Sequence, residues 1–362
     1  MNNFKITYLL LLLLIFSGLN AQTNNYKIIA YYTGNGEVIK QFPVNKLSHI
    51  IYSFLKIQND TLTFKIADQE KTLLQLVELK KSNPHLKIMV SIGGWGGCAP
   101  CSDLFASTYH RARFAKTTME FFQKFNVDGI DLDWEYPTIE GYPGHKFSPE
   151  DKNNFTELVK ALRKEIGSDH VLSFAAGGFT KFLEESVDWN AIMPYLDFVN
   201  LMTYDLTSGA SKVTGHHTPL HNNKVQKQSA SNCINWLIKY EVPADKLIMG
   251  AAFYARVWEN VSNVNHGLYQ PGKFKQGVPW KNHQTYFSES EGFHHYFDKK
   301  SKAPYAYSAS KKLFGTFDDS KSIQEKSKFI RKKHMGGIMF WELSQDKASG
   351  GLIDVMYQEL SK

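Results

Sequence analysis

The chain has 362 residues, 43% hydrophobic and 21% charged, with a formal net charge of +7 from 42 Lys+Arg against 35 Asp+Glu. This balance excludes a disordered chain and a multi-span membrane protein, and the length suits two average domains or one large α/β barrel with an insertion. The positive excess is spread along the chain without a nucleic-acid-binding motif, so a basic solvated surface and no nucleic-acid partner are expected.

At the N-terminus, Lys5 precedes an apolar run centred on Leu9 to Phe16, then Ser17-Gly18-Leu19-Asn20-Ala21. A positive start, about a dozen apolar residues and small residues before a cut after Ala21 predict a secretory signal peptide over 1–21. The run is too short to cross a bilayer comfortably, so no membrane span is expected. The mature protein, 22–362, should be secreted to the periplasm or the exterior.

Beyond this leader, short apolar runs at 27–32, 49–54, 87–92, 129–133, 171–176, 198–202, 247–253 and 337–341 read as strands. Most are unbroken Ile/Val/Leu/Phe/Ala runs, the pattern of strands buried on both faces of a helix-covered parallel sheet. Residues 69–81, 108–125, 226–240 and 322–334 read as helices. Ser148-Pro149-Glu150-Asp151 supplies an N-cap, an early proline and acids for a further helix running to about Ile166. Eight strands alternating with helices suggest an α/β fold, a (β/α)8 TIM barrel; a doubly wound open sheet also satisfies the strand count. Residues 257–314 break the repeat and are rich in aromatics, Gly, Lys and His. They predict a small α+β insertion between the seventh strand and seventh helix, walling one side of a cleft.

Three cysteines exclude a disulfide scaffold. Cys98-Ala99-Pro100-Cys101 follows a Gly-rich loop rather than opening a thioredoxin-like helix, so a local disulfide is expected over a redox or metal site. Cys233 reads as a buried thiol. His216 and His217 are adjacent and point in different directions, which argues against a metal site.

The segment Asp128-Gly129-Ile130-Asp131-Leu132-Asp133-Trp134-Glu135-Tyr136-Pro137 carries the chemistry. Alternate side chains of a strand share a face, so Asp131, Asp133 and Glu135 point the same way, about 6.5 Å apart per step, while Ile130, Leu132 and Trp134 point outward. Three inward carboxylates repel if all are ionised, so at least one should keep its proton and serve as a general acid near neutral pH. A divalent metal site draws its oxygens from several segments or a looped array, so no metal is expected, and no cofactor.

The pattern Asp128, Asp131, Asp133, Glu135 resembles the D-x-x-D-x-D-x-E signature of family 18 glycoside hydrolases, the chitinases. Ser91-Ile92-Gly93-Gly94-Trp95, Met202-Thr203-Tyr204-Asp205, Tyr254-Ala255-Arg256 and Gly336-Gly337-Ile338-Met339-Phe340-Trp341-Glu342 resemble the motifs of its third, sixth, seventh and eighth strands, in order over nearly the whole mature chain. The seventh strand has Ala where relatives often carry Pro and Gly, and Phe317 stands where Tyr is common. The resemblance implies chitin or chitooligosaccharides as substrate; a monomer without a cofactor is expected. Glu135 would protonate the glycosidic oxygen, Asp133 would orient the 2-acetamido group, and Asp131 would help reset Asp133. Tyr204 and Asp205 would contact the same sugar, and Trp341 would floor its subsite. Met202, Trp95, Tyr254, Arg256, Tyr136 and Phe54 complete the expected lining, with Asp128 in a supporting role. Asp133 and Glu135 share a strand and no protein nucleophile faces them, so the attacking group would be the substrate's own acetamido oxygen. Two other activities stay open: endo-β-N-acetylglucosaminidase action on N-glycans, and catalytically silent chitin binding.

Overall fold

The computed structural model describes residues 26–362; the expected signal peptide lies outside them. The described residues open with β1 (Lys27–Tyr32) and β2 (His49–Gln58), whose end pairs back on the short β3 (Thr61–Thr63). Five parallel strands follow: β4 (Lys87–Gly93), β5 (Gly129–Asp133), β6 (Val171–Gly177), β7 (Phe198–Met202) and β8 (Leu247–Ala252). A second sheet then uses β9 (Tyr254–Glu259), β10 (Lys273–Pro279), β11 (His294–Asp298), β12 (Ala303–Ser308) and β13 (Leu313–Thr316), before the chain returns to β14 (Gly337–Trp341).

The parallel strands run in the order β1-β14-β8-β7-β6-β5-β4-β2, and β2 pairs with β1 to close the ring. The fold is a (β/α)8 barrel, not an open sheet. Alternation along each strand divides its side chains between two cores. Ile29, Tyr31, Ile51, Met89, Ile248 and Met339 fill the interior, whereas Ile28, Ile50, Ile88, Ile130 and Leu132 face the helices. Trp134 joins the outer layer, its ring 5.8 Å from Phe105 and 6.2 Å from Phe155. Each such buried apolar side chain contributes about 1.5–3 kcal/mol.

The helices outside the ring include Asp68–Glu78, Thr108–Phe125, Asp151–Ile166, Ala230–Lys239 and Ser320–Lys333. Two starts differ from the sequence reading. The helix expected from 226 begins at Ala230, capped by Ser229, because the Gln226 side chain brackets the His216 backbone: it accepts from His216 N at 3.0 Å and donates to His216 O at 2.6 Å. Ser148 caps no helix. Instead the Asp151 carboxylate accepts from Ser148 N and from Ser102 Oγ, both at 2.8 Å.

The second sheet is antiparallel, in the order β10-β9-β13-β12-β11, with short helical turns such as His283–Tyr286 beside it. The seventh barrel strand ends at Ala252, so Tyr254 and Arg256 lie on the first strand of this sheet rather than on the barrel. Cys98 and Cys101 are disulfide-bonded, and Cys233 is a buried free thiol. Among the described residues no helix is long and apolar enough to cross a membrane, and no group of three His, Cys, Asp or Glu is placed to hold a metal ion.

Candidate active site

The carboxyl ends of the barrel strands open into a cleft of about 1290 Å3, walled on one side by β9 and β10. All the sequence-predicted site residues line it except Asp131, which lies beneath. Asp131 is fully buried and saturated by donors. Its Oδ1 accepts from Ser173 Oγ at 2.7 Å and Asn200 Nδ2 at 3.0 Å; its Oδ2 accepts from Tyr31 Oη at 2.8 Å and Ser91 Oγ at 3.1 Å. The donors come from β6, β7, β1 and β4, and strand register places Ser91 and Ser173 beside Asp131. Burial raises the Asp131 pKa, and these four hydrogen bonds oppose the rise. Four donors on two oxygens describe an ionised carboxylate.

Asp133, two residues on, has the opposite surroundings. It is buried and its Oδ1 has no hydrogen-bond partner. Burial, then the charges of Glu135 and Asp131, push its pKa well above the usual range. Its carbonyl accepts from Gly94 N at 2.8 Å. Gly93, at φ 97°, lies so close that a Cβ there would stand 2.0 Å from the Asp133 carbonyl oxygen, which accounts for the glycine at this position. Glu135 follows at the strand mouth. Burial raises its pKa to about 7 against the pull of a Tyr136 hydrogen bond, and the Asp205 charge adds to the rise. The strand thus presents one satisfied carboxylate and two that favour a proton.

Opposite them, Asp205 forms a bidentate ion pair with Arg256, through Nε and through Nη2, the latter at 2.5 Å from Oδ2. Burial opposes ionisation of Asp205, but Arg256 and His217 together hold its carboxyl far below the ordinary range. The Arg256 guanidinium lies 5.5 Å from the ring centroids of both Tyr254 and Phe274. Tyr204 is almost fully buried, its ring 6.2 Å from Tyr254 and its hydroxyl 3.9 Å from Met339 Sδ.

Residues 27–346 match the family described as glycosyl hydrolases family 18. The chain belongs to family 18. Chitinase A1 of Niallia circulans is 33% identical over 297 residues, 75% of this chain but 42% of the relative, so the chain spans less than half of that protein. A probable chitinase 2 of Drosophila melanogaster is 31% identical over 353 residues, 90% of this chain and 72% of the relative. Among solved structures, a family 18 N-acetylglucosaminidase from Paenibacillus barengoltzii superposes with a TM-score of 0.84 at 31% identity, covering 92% of this chain and all of that one. A chitinase from Bacillus thuringiensis superposes at 0.85 with 26% identity, covering 92% of this chain and 69% of that one.

Two aromatic surfaces complete this family 18 cleft. Trp341 and Phe54 stack, with centroids 5.6 Å apart and planes 20° from parallel, and Tyr31 braces Trp341 from below at 5.7 Å. Trp95, 60% exposed, meets Tyr142 edge-on at 5.6 Å. Sugar C–H faces stack on such rings, so exposed indole at a cleft mouth is a ready platform. Tyr136 packs its ring edge-on against Phe179 and Phe182, and Met202 closes the floor beside Tyr204. Asp128 lies away from the cleft, accepting from Ile88 N at 2.7 Å and Lys80 Nζ at 3.0 Å, where it ties β4 to β5.

Sequence reasoning missed Tyr142, Phe179, Phe274 and Gln345, which also line the cleft. Tyr142 and Phe274 sit in a loop and in the insertion, where no strand period assigns a direction. An aromatic within a few residues of a Gly/Pro pair, as in Gly141-Tyr142-Pro143, was the one available signal.

Proposed function

We propose that this protein is a secreted chitinase that hydrolyses β-1,4 bonds between N-acetylglucosamine units of chitin or chitooligosaccharides, with retention and with Glu135 as proton donor. The observation that carries this reading is the graded strand: Asp131 saturated, Asp133 buried without a donor, Glu135 protonated up to about pH 7. A second carboxylate across the scissile bond, as most glycosidases use, is not offered by this strand. Asp205 stands opposite, but its ion pair with Arg256 binds both of its oxygens.

Glu135 gives its proton to the glycosidic oxygen as the C1–O bond breaks. The acetamido carbonyl oxygen of the same sugar attacks C1 and forms an oxazolinium ring. Asp133 keeps its own proton and accepts the acetamido N–H on the C=O oxygen of its carboxyl group, which orients the acetamido group, and the Tyr204 hydroxyl donates to the acetamido oxygen. Glu135, now a carboxylate, takes a proton from water, whose oxygen bonds to C1 from the side the leaving group vacated as the bond from C1 to the acetamido oxygen breaks and the ring opens. Asp131 keeps a fixed negative charge beneath Asp133, which holds the Asp133 proton in place through the cycle. Trp341 floors the reacting sugar, and Trp95 takes the chain on the other side of the cut.

The test is mass spectrometry of products from N-acetylchitopentaose, with a Glu135→Gln variant alongside. Wild type should release N-acetylated fragments and lose activity as pH rises through about 7, while E135Q should be slower by about 10²–10⁴-fold. An intact pentamer with both proteins refutes the reading. The likeness to the Paenibacillus barengoltzii N-acetylglucosaminidase favours a second reading, release of single N-acetylglucosamine residues. Monosaccharide as the first product, rather than di- and trisaccharide, would establish it.

A further inference from the structure

His217 has no role in the chemistry above, yet it stands directly behind Asp205 and Tyr254 of the cleft wall. Its ring is fully enclosed and packs against Tyr254 with centroids 5.2 Å apart. Nδ1 faces Asp205 Oδ1 at 3.5 Å, an ion-pair contact rather than a formed hydrogen bond, and Nε2 has no polar partner at all. The backbone is also tied down. His217 N donates to Thr316 Oγ1 at 3.3 Å, and His217 O accepts from Leu206 N at 3.0 Å. That second bond holds the residue after Asp205, which itself sits in the left-handed region at φ 55°.

A buried imidazole without a partner is costly, so the group it serves can be read from what surrounds it. The charged and titratable groups facing His217 are Asp205, Arg256 and Tyr254 on the cleft side and Asp318 behind. Asp318 is already saturated by Lys326 Nζ at 2.6 Å, Ser322 Oγ at 2.7 Å and Ala252 N at 3.0 Å. Asp205 is left as the acceptor. Burial keeps the imidazole neutral, more than Asp205 raises it, and the adjacent guanidinium also works against a second proton. A neutral ring facing a carboxylate carries its proton on Nδ1.

We infer that His217 is a positioning residue for the sugar-cleaving reaction: its Nδ1–H and its carbonyl hold Asp205 ionised and aimed into the cleft from behind, while Arg256 holds it from the side. This rests on the proposed chitinase reading only for its effect on turnover; the hold on Asp205 is a property of the free protein.

His217→Phe keeps a ring of similar size without the N–H, and His217→Asn keeps a donor near the Nδ1 position. With N-acetylchitopentaose, H217F should lose about 10-fold in kcat/KM, mostly through KM, and the acid limb of its pH profile should move up by about one unit as Asp205 becomes easier to protonate. H217N should restore most of both. A carboxyl 13C NMR titration of Asp205 in the free protein should show the same rise in H217F and its reversal in H217N. If H217F fails to fold, His217→Met replaces it. Loss of melting temperature with unchanged KM and unchanged Asp205 titration overturns the inference and leaves His217 as packing alone. If wild type cleaves nothing while the Asp205 titration still moves, the chitinase reading falls and the hold on Asp205 stands.

Discussion

Replacing Asp131 tests how far stability and chemistry depend on the same carboxylate. In Asp131→Asn one oxygen becomes an NH2 group, and the surroundings dictate its direction. Asn200 Nδ2 can only donate, so the amide oxygen must face Asn200 and Ser173, and the NH2 must face Tyr31 and Ser91. Ser91 Oγ has a second acceptor within reach, the Asp131 carbonyl at 3.1 Å. The Tyr31 hydroxyl has no other acceptor among the described residues, so one buried donor is stranded and the remaining bonds lose their charge. The cost is about 2 kcal/mol. At ~2 cal/mol/K per residue, a chain of this length melts about 3 °C lower for that loss. Asp131→Ala strands three donors, those of Tyr31, Ser173 and Asn200, and opens a cavity, for about 5 kcal/mol and about 7 °C. D131N also removes the fixed charge under Asp133. The Asp133 pKa then falls, less than it would with Glu135 neutralised, because burial and Glu135 are its larger causes. About a 10-fold drop in kcat should accompany the small loss of stability. Calorimetric melting and kcat on a chitooligosaccharide are the two measurements. If D131N melts with wild type and D131A falls by under about 2 °C, the four donors are not what Asp131 is for. If kcat is unchanged in D131N, its charge does not act on Asp133.

Two further outcomes follow from the same site. Glu135 is raised above its unfolded value, so its stability contribution is complete below about pH 4.5 and is lost as pH rises through about 7. E135Q should therefore be more stable than wild type at pH 8, by up to ~3 kcal/mol, with the gap closing toward pH 4.5; a constant gap would contradict the raised pKa. Trp95→Ala removes an exposed platform away from the acids, so it should raise KM for the pentasaccharide about 10-fold with little change in kcat, and a matching fall in kcat would place Trp95 in the reaction itself.

The barrel was legible because its signal is repeated and local. Unbroken apolar runs mark strands buried on both faces, and strict alternation from Ile130 to Glu135 assigned each side chain a direction. Trp134 could be placed outside and Asp131 inside without tertiary information. What the sequence could not carry is pairing at a distance. Nothing near Asp131 announces that Tyr31, Ser91, Ser173 and Asn200, from four other strands, converge on it. Closure is likewise a β1–β2 pairing that no strand count contains. The segment after Ala252 was harder still. Its antiparallel strands are short and one is bulged, so their period never runs long enough to read, and Phe274 reached the cleft unannounced. At Gln226, helical periodicity was overridden by a side chain that found a backbone partner.

The eight barrel strands form a ring and so have no edge, whereas the second sheet stops at β10 and at β11. An unpaired edge is a template on which another copy of the same strand can dock, and that route leads to aggregation. β10 is poorly suited to it. Its pairing is bulged between Phe274 and Gln276, Lys273 and Lys275 stand exposed along it, and Pro279 ends it without an N–H to donate. A second molecule would have to bury two ammonium groups to extend the sheet there. The strand that shapes one wall of the cleft therefore also helps keep concentrated molecules apart.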